Sequence, residues 1–267
     1  MSAAVTLSPE PTFLHADGTL HFSDLKRIAD SGVQYLHGLA HRREPTRAML
    51  VGTGGHHLIL GQRPTSKVAF YAGEARRGKE WAAFAAAHEG YDILTEPEWA
   101  EAATVAAAVL EDPVAQEYLE GGEYETPLTW DEGGIPCSTT GVDIIQRHHR
   151  RLGDLKFTST TEIEKWKKQA FNFSYHVQLS WYRRACRANG IDVSNGAFLL
   201  GADVKPPHEV VVLEMSEELF DLGDRTLTLW LGRLKVYIDS RQFPGRAQSA
   251  VVWTVPSWMQ DEDDDDE

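Results

Sequence analysis

Hydrophobic residues in the first 120 positions of the chain recur at the three- and four-residue spacing of helices that are buried on one face. Leu25 and Ile28 begin this pattern. A longer apolar stretch contains Gly52 and Gly55, whose helix-weakening effect makes sense if another backbone or a ligand approaches closely. A helix that begins at Asp24 is followed by predicted helices over Val33–His41, Thr46–Leu60, residues 78–89, residues 95–110 and residues 114–119.

After residue 122, apolar and polar side chains alternate over short segments, as they do in half-buried strands. Three such segments are separated by polar turns, and the first turn, Asp131-Glu132-Gly133-Gly134, is a hairpin signal. The predicted strands are Glu123–Trp130, Thr139–Ile145, Leu152–Thr158, Gly196–Val204 and His208–Met215. Helices are predicted around Trp166 and over Tyr175–Asn189 and Glu217–Asp239. This order indicates a mixed α/β domain with a helical N-terminal layer.

Capping residues support several of the predicted helix starts. Thr95 with Glu98 forms a capping box, in which each side chain binds a backbone N–H group of the other residue. Ser159–Glu162 offers a second capping box. Ser23 and Ser174 are placed to cap the helices that follow them.

The composition permits one sizeable hydrophobic core. The chain has 267 residues, of which 42% are hydrophobic, and it has no run of 18 apolar residues that would suggest a membrane span. The N-terminus has no basic segment followed by an apolar one, so we expect no secretory signal and a cytoplasmic protein. Cys137 and Cys186 lie far from any CxxC pattern, which argues against a zinc or iron–sulfur cage.

The formal net charge of −14 argues at first against a polyanionic partner. All seven residues of Asp261–Glu267 are acidic, so the rest of the chain carries −7. We expect this run to be a solvated tail, or else a segment that competes with DNA for a basic site or recruits a basic partner. Cationic groups cluster elsewhere, at Arg42-Arg43, Arg76-Arg77, Arg147 with Arg150-Arg151, Lys165 with Lys167-Lys168, and Arg183-Arg184 with Arg187.

The residues that carry chemistry lie in the second and third predicted strands. Asp154 and Lys156 are two apart on a strand and therefore project to one face, while Leu155 points into the core. Asp143 can join them if the two strands pair. Two carboxylates and an ammonium on one sheet face can bind a hard divalent cation and hold a water beside it, which suits hydrolysis of a phosphodiester. Taken alone, a surface ion pair on a strand is the simpler interpretation.

Two further groups can contribute to this cluster. Glu125 lies on the preceding strand and could add a third carboxylate, with Glu123 as a more exposed competitor on the same face. His56 follows the glycine-rich segment of an apolar helix and could ligate a metal or contact a phosphate. His57 faces about 100° away on a helix and cannot do the same work. A packed histidine and a solvated strand face remain the alternatives.

A helix further along the chain offers groups for binding a nucleic-acid strand. Gln178 and Tyr182 stand four residues apart on one helix face, with Arg183 and Arg184 on nearby faces. Glutamine and tyrosine can hydrogen-bond a phosphate, and tyrosine can stack on a base. The alternative is a helix that packs Tyr182 against the sheet.

In this order, the motifs resemble the PD-(D/E)xK nuclease superfamily, and more closely its RecB-like branch of RecE (exonuclease VIII)-type phage and prophage exonucleases. Each motif alone is unspecific, so the resemblance depends on their order and spacing over roughly residues 20–240. The matching segments are Ser23–Leu25, Gly52–His56, Glu125 with Trp130, Asp143, Asp154–Lys156 and Tyr175–Tyr182.

The resemblance implies a restriction-endonuclease-like core, in which helices flank a central mixed sheet. We expect one nuclease domain over residues 21–245. Residues 1–20 show little periodicity and are predicted to form an irregular arm, and residues 246–267 are predicted to be a tail that ends in the disordered acidic run, which the family pattern does not include. Relatives usually carry a basic residue just before the first aspartate. Here Cys137–Val142 contains no cation, which leaves open where a phosphate contact comes from.

The resemblance also assigns roles to residues. Asp143, Asp154 and the Leu155 carbonyl would be ligands of Mg²⁺ or Mn²⁺, with two ions in each site. Lys156 would orient the attacking water, Glu125 and His56 would support a second metal or the phosphate, and Gln178 and Tyr182 would hold the DNA strand. Arg183 and Arg184 are further candidates for DNA contacts.

We therefore predict a metal-dependent exonuclease that resects the ends of linear duplex DNA for phage-type recombination, in a bacterial or phage-infected cytoplasm. A single-strand annealing protein of the RecT type would be a partner, and relatives suggest a ring-shaped homo-oligomer. The alternatives are a related endonuclease, a nuclease that trims single strands, and a degenerate nuclease fold that only binds DNA or a partner.

Overall fold

A computed structural model describes residues 13–41, 44–61, 67–247 and 249–254. Arg42-Arg43, most of the predicted N-terminal arm and the acidic run at the C-terminus lie outside the described residues. Within these ranges, no helix is both long and apolar enough to cross a membrane.

The N-terminal half is a helical layer that also contains a small parallel sheet. Two short strands, β2 and β3, pair over their whole length and lie beside the helices. The elements are β1 (Leu20–His21), α1 (Phe22–Leu25), a 3₁₀ turn (Lys26–Ala29), α2 (Gly32–Ala40), α3 (Arg47–Leu60), β2 (Val68–Tyr71), α4 (Gly78–Ala87), β3 (Asp92–Thr95), α5 (Glu96–Glu111) and α6 (Pro113–Leu119).

The second half of the chain contains the main sheet and the helices that cover one of its faces. As predicted, β4, β5 and β6 form an antiparallel meander, and the chain then crosses over to β7, which runs parallel to β6. The elements are β4 (Glu123–Asp131), β5 (Pro136–Gln146), β6 (Arg151–Thr158), α7 (Ile163–Asn172), α8 (Tyr175–Ala188), β7 (Ala197–Asp203), β8 (Val210–Glu214) and α9 (Glu217–Ser240).

The edge of β5 opposite β4 is shared by two strands. Its last three residues pair with the start of β6, whereas Cys137 and Ser138 near its beginning pair with the two residues of β1. Leu20, the last residue of the predicted arm, is fully buried there. Between these two pairings the edge of β5 lies open, and this gap positions the site described below.

The main sheet has a hydrophobic core on each face. Side chains that are adjacent on β5 point to opposite faces, so Ile145 packs in one core and Ile144 in the other. The first core contains Trp181 of α8 and Phe220 of α9, and the second contains Val105 of α5. The predicted arrangement, a central mixed sheet flanked by helices, is confirmed.

Most helix starts agree with the sequence signals, but three differ. Ser23 does not cap the first helix, because α1 begins at Phe22 and Ser23 lies inside it. Thr95 and Glu98 form the predicted capping box at α5. Ser174 does not cap α8, because the link from α7 is so short that Ser174 takes a left-handed turn conformation instead of the extended one that a cap needs. Glu162, rather than Ser159, precedes α7 and accepts the backbone N–H of Glu164 with its own side chain.

Arginines of α8 attach this helix to α9. Arg184 donates to the Asp224 carboxylate at 2.8 Å and to Glu132 at 2.9 Å. Arg183 is buried with its guanidinium 3.7 Å from the centre of the Phe220 ring, and it pairs with Glu217. These contacts give both arginines a structural role in the packing of the two helices.

The closest approach of α8 to α9 requires a glycine. A Cβ atom on Gly223 would lie 2.7 Å from the backbone oxygen of His176, and backbone cannot move aside cheaply. We therefore expect Gly223→Ala to lower the free energy of unfolding by about 1–3 kcal/mol, as overpacked cores do. Denaturant unfolding followed by circular dichroism measures this change.

The same helix offers a matched control. Gly232 also lies within α9, but a Cβ atom there would meet nothing within 4 Å. Gly232→Ala should raise the free energy of unfolding by about 0.8–1.0 kcal/mol, because alanine is the better helix former. Equal effects of the two substitutions would show that helix propensity, and not the contact with α8, determines the result.

Candidate active site

The site begins where β5 and β6 stop pairing with each other. The last pair on this side joins Ile144 to Gly153. One step further, the Leu155 backbone N–H donates to Oδ2 of Asp143 at 3.0 Å, so a side chain takes the place of a strand partner. Leu155 itself is fully buried, as the alternation on β6 predicted.

Asp154 and Lys156 project to the same face of β6, as the alternation predicted. The Lys156 ammonium contacts Oδ2 of Asp154, whose side chain has no exposed surface. Among the described residues, neither carboxylate oxygen of Asp154 has a donor in hydrogen-bonding geometry. The contact is therefore described as an ion pair.

The pKa values of this pair reflect its burial. Loss of solvent raises the pKa of Asp154 to about 7, and the nearby Asp143 charge adds to this, although Lys156 opposes it. Burial alone would lower the pKa of Lys156, but the charges of Asp154 and Asp143 outweigh it and leave the pKa raised. Lys156 therefore stays cationic at neutral pH.

Glu125 reaches the same place through an irregularity in β4. Its backbone is left-handed, with φ of 49°, and the register against β5 shifts just beyond it, between Thr126 and Leu128. A non-glycine residue in this conformation is strained and is held only by its surroundings. The Glu125 side chain is 2% exposed. Glu123, the competitor, pairs with Arg147 on the surface.

His56 approaches from α3 and links the carboxylates to β6. Its Nε2 lies 2.9 Å from the Leu155 carbonyl oxygen, so Nε2 carries a proton that it donates. Its Nδ1 then faces Oε1 of Glu125 at 3.4 Å and Oδ2 of Asp143 at 3.6 Å. A bare nitrogen lone pair beside two carboxylates is unfavourable, and either a proton on Nδ1 or a metal cation relieves it.

These groups fit a divalent cation. One ligand atom each from His56, Glu125 and Asp143 lie within 4.8 Å of one another, and Glu125 and Asp143 are almost fully buried. With Asp154, the site has three buried carboxylates, and among the described residues Lys156 is the ammonium in contact with one of them, so negative charge is concentrated where water screens it poorly. The carboxylate oxygens suit Mg²⁺ and Mn²⁺, and the imidazole adds a nitrogen donor that a transition metal such as Mn²⁺ accepts more readily than Mg²⁺ does. Asp154 itself does not belong to the group within 4.8 Å.

The cluster opens into a cleft of about 610 Å³. Gln178 and Tyr182 both border this cleft and are joined by a hydrogen bond of 2.8 Å from the glutamine amide to the tyrosine hydroxyl. Arg183 and Arg184 are not among the described residues that line it. Other lining groups are His21, Phe22, Ser23, Met49, Gly52, Thr53, Phe173 and Tyr175.

The structure adds two groups that the sequence did not single out. Lys26, from the 3₁₀ turn, donates to the Phe173 carbonyl at 2.6 Å, and burial together with the charge of Lys156 lowers its pKa. It therefore places a cation near the site from a remote segment, although none precedes Asp143 on its own strand. The Tyr175 ring lies 5.0 Å from the Lys156 ammonium. Only a three-dimensional arrangement could reveal these contacts.

Gly141 allows Glu125 to reach its position. A Cβ atom on Gly141 would lie 2.7 Å from Oε2 of Glu125 and 3.1 Å from its backbone carbonyl carbon. Gly141→Ala should therefore displace Glu125 while leaving every candidate ligand in the sequence. We expect an approximately 10²-fold loss of metal-supported DNA hydrolysis, the usual cost of a displacement of about 1 Å. Initial rates on a linear duplex measure it.

Gly232→Ala is the control for this substitution, because Gly232 lies on α9 and a Cβ atom there is free of contacts. It should leave the rate unchanged. If Gly141→Ala also retained the full rate with a native circular dichroism spectrum, the position of Glu125 would be irrelevant to the reaction.

Comparison with known proteins agrees with this geometry. The family described as "PDDEXK-like domain of unknown function (DUF3799)" matches residues 21–252. A solved structure named "Putative exonuclease" from Eubacterium rectale is similar with a TM-score of 0.61 and 14% sequence identity, over 91% of this chain and 92% of that one. No curated protein matches the sequence.

The similar structure shows that the two chains share a fold, and the family match covers most of this chain, including each candidate site residue. Family and fold together support a nuclease. The strands β5 and β6 separate beyond the pair of Ile144 and Gly153, and this separation forms a fork that holds the site. Together with the mixed sheet, the match over residues 21–252 leads to one conclusion: this chain belongs to the PDDEXK-like family DUF3799, within the PD-(D/E)xK superfamily.

Proposed function

We propose that the protein is a divalent-metal-dependent deoxyribonuclease that degrades linear duplex DNA from its ends. The observation that carries this proposal is the group of three buried carboxylates, Glu125, Asp143 and Asp154, beside Lys156 at an open cleft. Such a concentration of buried negative charge is unfavourable without a cation, and buried ionisable groups with perturbed pKa values collect at functional sites.

The candidate ligands are the side chains of Asp143, Asp154, Glu125 and His56 and the carbonyl of Leu155. Mg²⁺ or Mn²⁺ held there would polarise the scissile phosphate and lower the pKa of a bound water. We infer two ions in each site, as the superfamily resemblance implies.

Lys156 supplies the charge that the reaction needs on the protein side. Its side chain is partly buried and cationic, and its ammonium contacts Asp154 and the Tyr175 ring. From there it can orient the attacking water and stabilise negative charge that develops on the phosphate. His56 is already fixed by its bond to the Leu155 carbonyl, so it needs no reorganisation when substrate arrives.

The cleft wall suits a nucleic-acid strand. Gln178 and Tyr182 present an amide and a phenol that already bond to each other, and either can turn to a phosphate. Lys26, from the N-terminal part of the chain, contacts the Phe173 carbonyl just before α8 and adds a positive charge. Because the chain is acidic overall, we expect strand binding to depend strongly on the bound metal.

The preference for ends, the exonuclease VIII-like branch and a role in phage-type recombination are proposals that rest on the sequence resemblance, and the name of the similar structure agrees with the first. A RecT-type annealing partner, a ring-shaped homo-oligomer and a cytoplasmic location are likewise proposals that rest on the sequence.

Digestion of linear duplexes labelled at either the 5′ or the 3′ end, with Mg²⁺ or Mn²⁺, tests the proposal. We expect progressive loss of label from one end and no cleavage of a closed circular duplex of the same sequence. Nicking of the circle would establish an endonuclease instead. If neither substrate is cut while calorimetry shows tight DNA binding, the fold serves only for binding.

A further inference from the structure

A second group of possible metal ligands lies outside the proposed nuclease site, in the segment that leads into β1 and α1. One ligand atom each from His15, His21 and Asp24 lie within 4.8 Å of one another. The imidazole rings of His15 and His21 stack with their centres 4.2 Å apart. Two imidazoles and one carboxylate differ from the carboxylate-rich set at the fork between β5 and β6.

Asp24 provides an independent sign that a ligand belongs here. The residue is only 5% exposed. Its Oδ1 accepts from the Arg27 guanidinium at 2.7 Å, whereas Oδ2 is buried and has no hydrogen-bond partner among the described residues. A buried carboxylate oxygen without a partner is energetically costly, so it is rarely retained without a reason.

The surroundings of His21 match those of metal-bound histidines. Its Nε2 lies 2.8 Å from Oδ2 of Asp17 and 3.1 Å from the Thr19 hydroxyl, so Nε2 carries the proton and Nδ1 presents its lone pair. Histidines that bind metals usually donate their second N–H group to a carboxylate in this way, which fixes the tautomer and the ring orientation.

Asp17 is held ready for this role. Its Oδ1 accepts the backbone N–H group of Thr19 at 2.9 Å and the Thr19 hydroxyl at 2.7 Å, which fixes the carboxylate beside His21. Its Oδ1 also lies 3.5 Å from Nδ1 of His15, so both imidazoles contact the carboxylate of Asp17.

We propose that His15, His21 and Asp24 bind a transition-metal cation of the Zn²⁺ type, with Asp17 positioning His21. Imidazole nitrogens select zinc, cobalt or nickel over the hard cations Mg²⁺ and Ca²⁺. The side chain of His15 is 46% exposed, so a cation can enter from solvent.

The bound cation would fix one wall of the cleft. His21, Phe22 and Ser23 all border the cleft, and β1 is held to β5 through only two residue pairs. A metal that joins His15 before β1 to Asp24 within α1 spans this short strand on both sides. Its effect would therefore be structural, and it would not depend on whether the chain hydrolyses DNA.

Zinc titration of the full chain by calorimetry, after removal of bound metal with a chelator, tests the proposal. The Asp143→Asn background weakens the competing cluster at the fork. In this background, which is the parent for all further variants, we expect one zinc ion to bind to each chain. His15→Gln should abolish this binding, and because His15 is exposed, the substitution should have little effect on folding. Asp17→Asn should weaken zinc binding by about 10- to 100-fold, the usual effect of losing such a positioning carboxylate.

His148→Gln is the matched control, because His148 is an exposed histidine outside the cluster. It should bind zinc as its parent does. Co²⁺ added in place of zinc should give the visible absorption of a low-symmetry site in the parent and not in His15→Gln. The proposal is overturned if the parent takes no zinc, if His15→Gln binds zinc like its parent, or if His148→Gln loses as much as His15→Gln.

Discussion

Lys156→Ala is expected to lower the rate of metal-supported degradation of linear duplex DNA by about 10²–10⁴-fold, the range for loss of a group that moves a proton or stabilises a developing charge. The reason lies in its surroundings. Lys156 is the only ammonium in contact with Asp154 among the described residues, and the carboxylates of Asp154 and Asp143 keep its pKa raised. Initial rates with Mg²⁺ at saturating DNA measure the loss.

A stability effect must be separated from this loss of rate. Removing Lys156 leaves the fully buried Asp154 without its counter-charge, and breaking a buried ion pair costs about 3–5 kcal/mol. Lys156→Arg keeps the positive charge, but the planar guanidinium cannot take the position of a compact ammonium. We therefore expect the arginine variant to fold normally and to remain at least about 10²-fold slower.

Lys167→Ala is the matched control, because Lys167 is an exposed helix lysine paired with Glu164. It should retain the full rate. A Lys156→Arg variant that degrades linear DNA at the wild-type rate would show that any nearby cation suffices, and Lys156 would then have no specific role in orienting water.

The main elements of the fold were predictable because they are long and strongly patterned. The alternation in β4, β5 and β6 and the apolar spacing of α3 and α9 each extend over seven or more residues. Two-residue β1 and four-residue β2 and β3 are too short to show a period. Thr95 is predicted from the sequence as a helix cap, and in the structure it is both the last residue of β3 and the N-cap of α5.

In the candidate site, too, local patterns were predictable and irregular backbone features were not. Local spacing was enough to place Asp154 and Lys156 on one face of β6, and the structure brings Asp143 beside them. The choice of Glu125 over Glu123 depends on a left-handed residue and a register shift in β4, which alternation alone does not reveal. The strand pattern could offer Glu125 as a third carboxylate with Glu123 as its competitor, and the resemblance favoured Glu125.

Charge patterns were the weakest guide. Arg183 and Arg184 looked like DNA contacts because they follow Tyr182, yet one is buried over Phe220 and the other binds Asp224. Lys26, which no pattern distinguished, lies near Lys156. The sign and spacing of charges along a helix do not say which of them are already neutralised by a neighbouring helix.

Divalent metal is expected to reverse the stability order of the wild-type chain and Asp143→Asn. Without metal, Glu125, Asp143 and Asp154 concentrate negative charge around one ammonium, so neutralising Asp143 should leave the melting temperature equal or higher. The asparagine Oδ1 can still accept the Leu155 N–H group that Asp143 accepts, which preserves the backbone contact. Thermal unfolding in the presence of a chelator measures the two melting temperatures without metal.

With metal, the wild-type chain should gain stability and the variant should not. A ligand at 100 times its dissociation constant stabilises the folded state by about 2.7 kcal/mol, or about 5–10 °C for a chain of this size. Asp143→Asn loses one of the grouped ligands and should gain little. Asp239→Asn, on the exposed end of α9, should follow the wild type in both conditions. If Asp143→Asn melts well below the wild type in chelator, Asp143 is a structural residue; if Mg²⁺ or Mn²⁺ shifts both chains equally, the cation binds elsewhere.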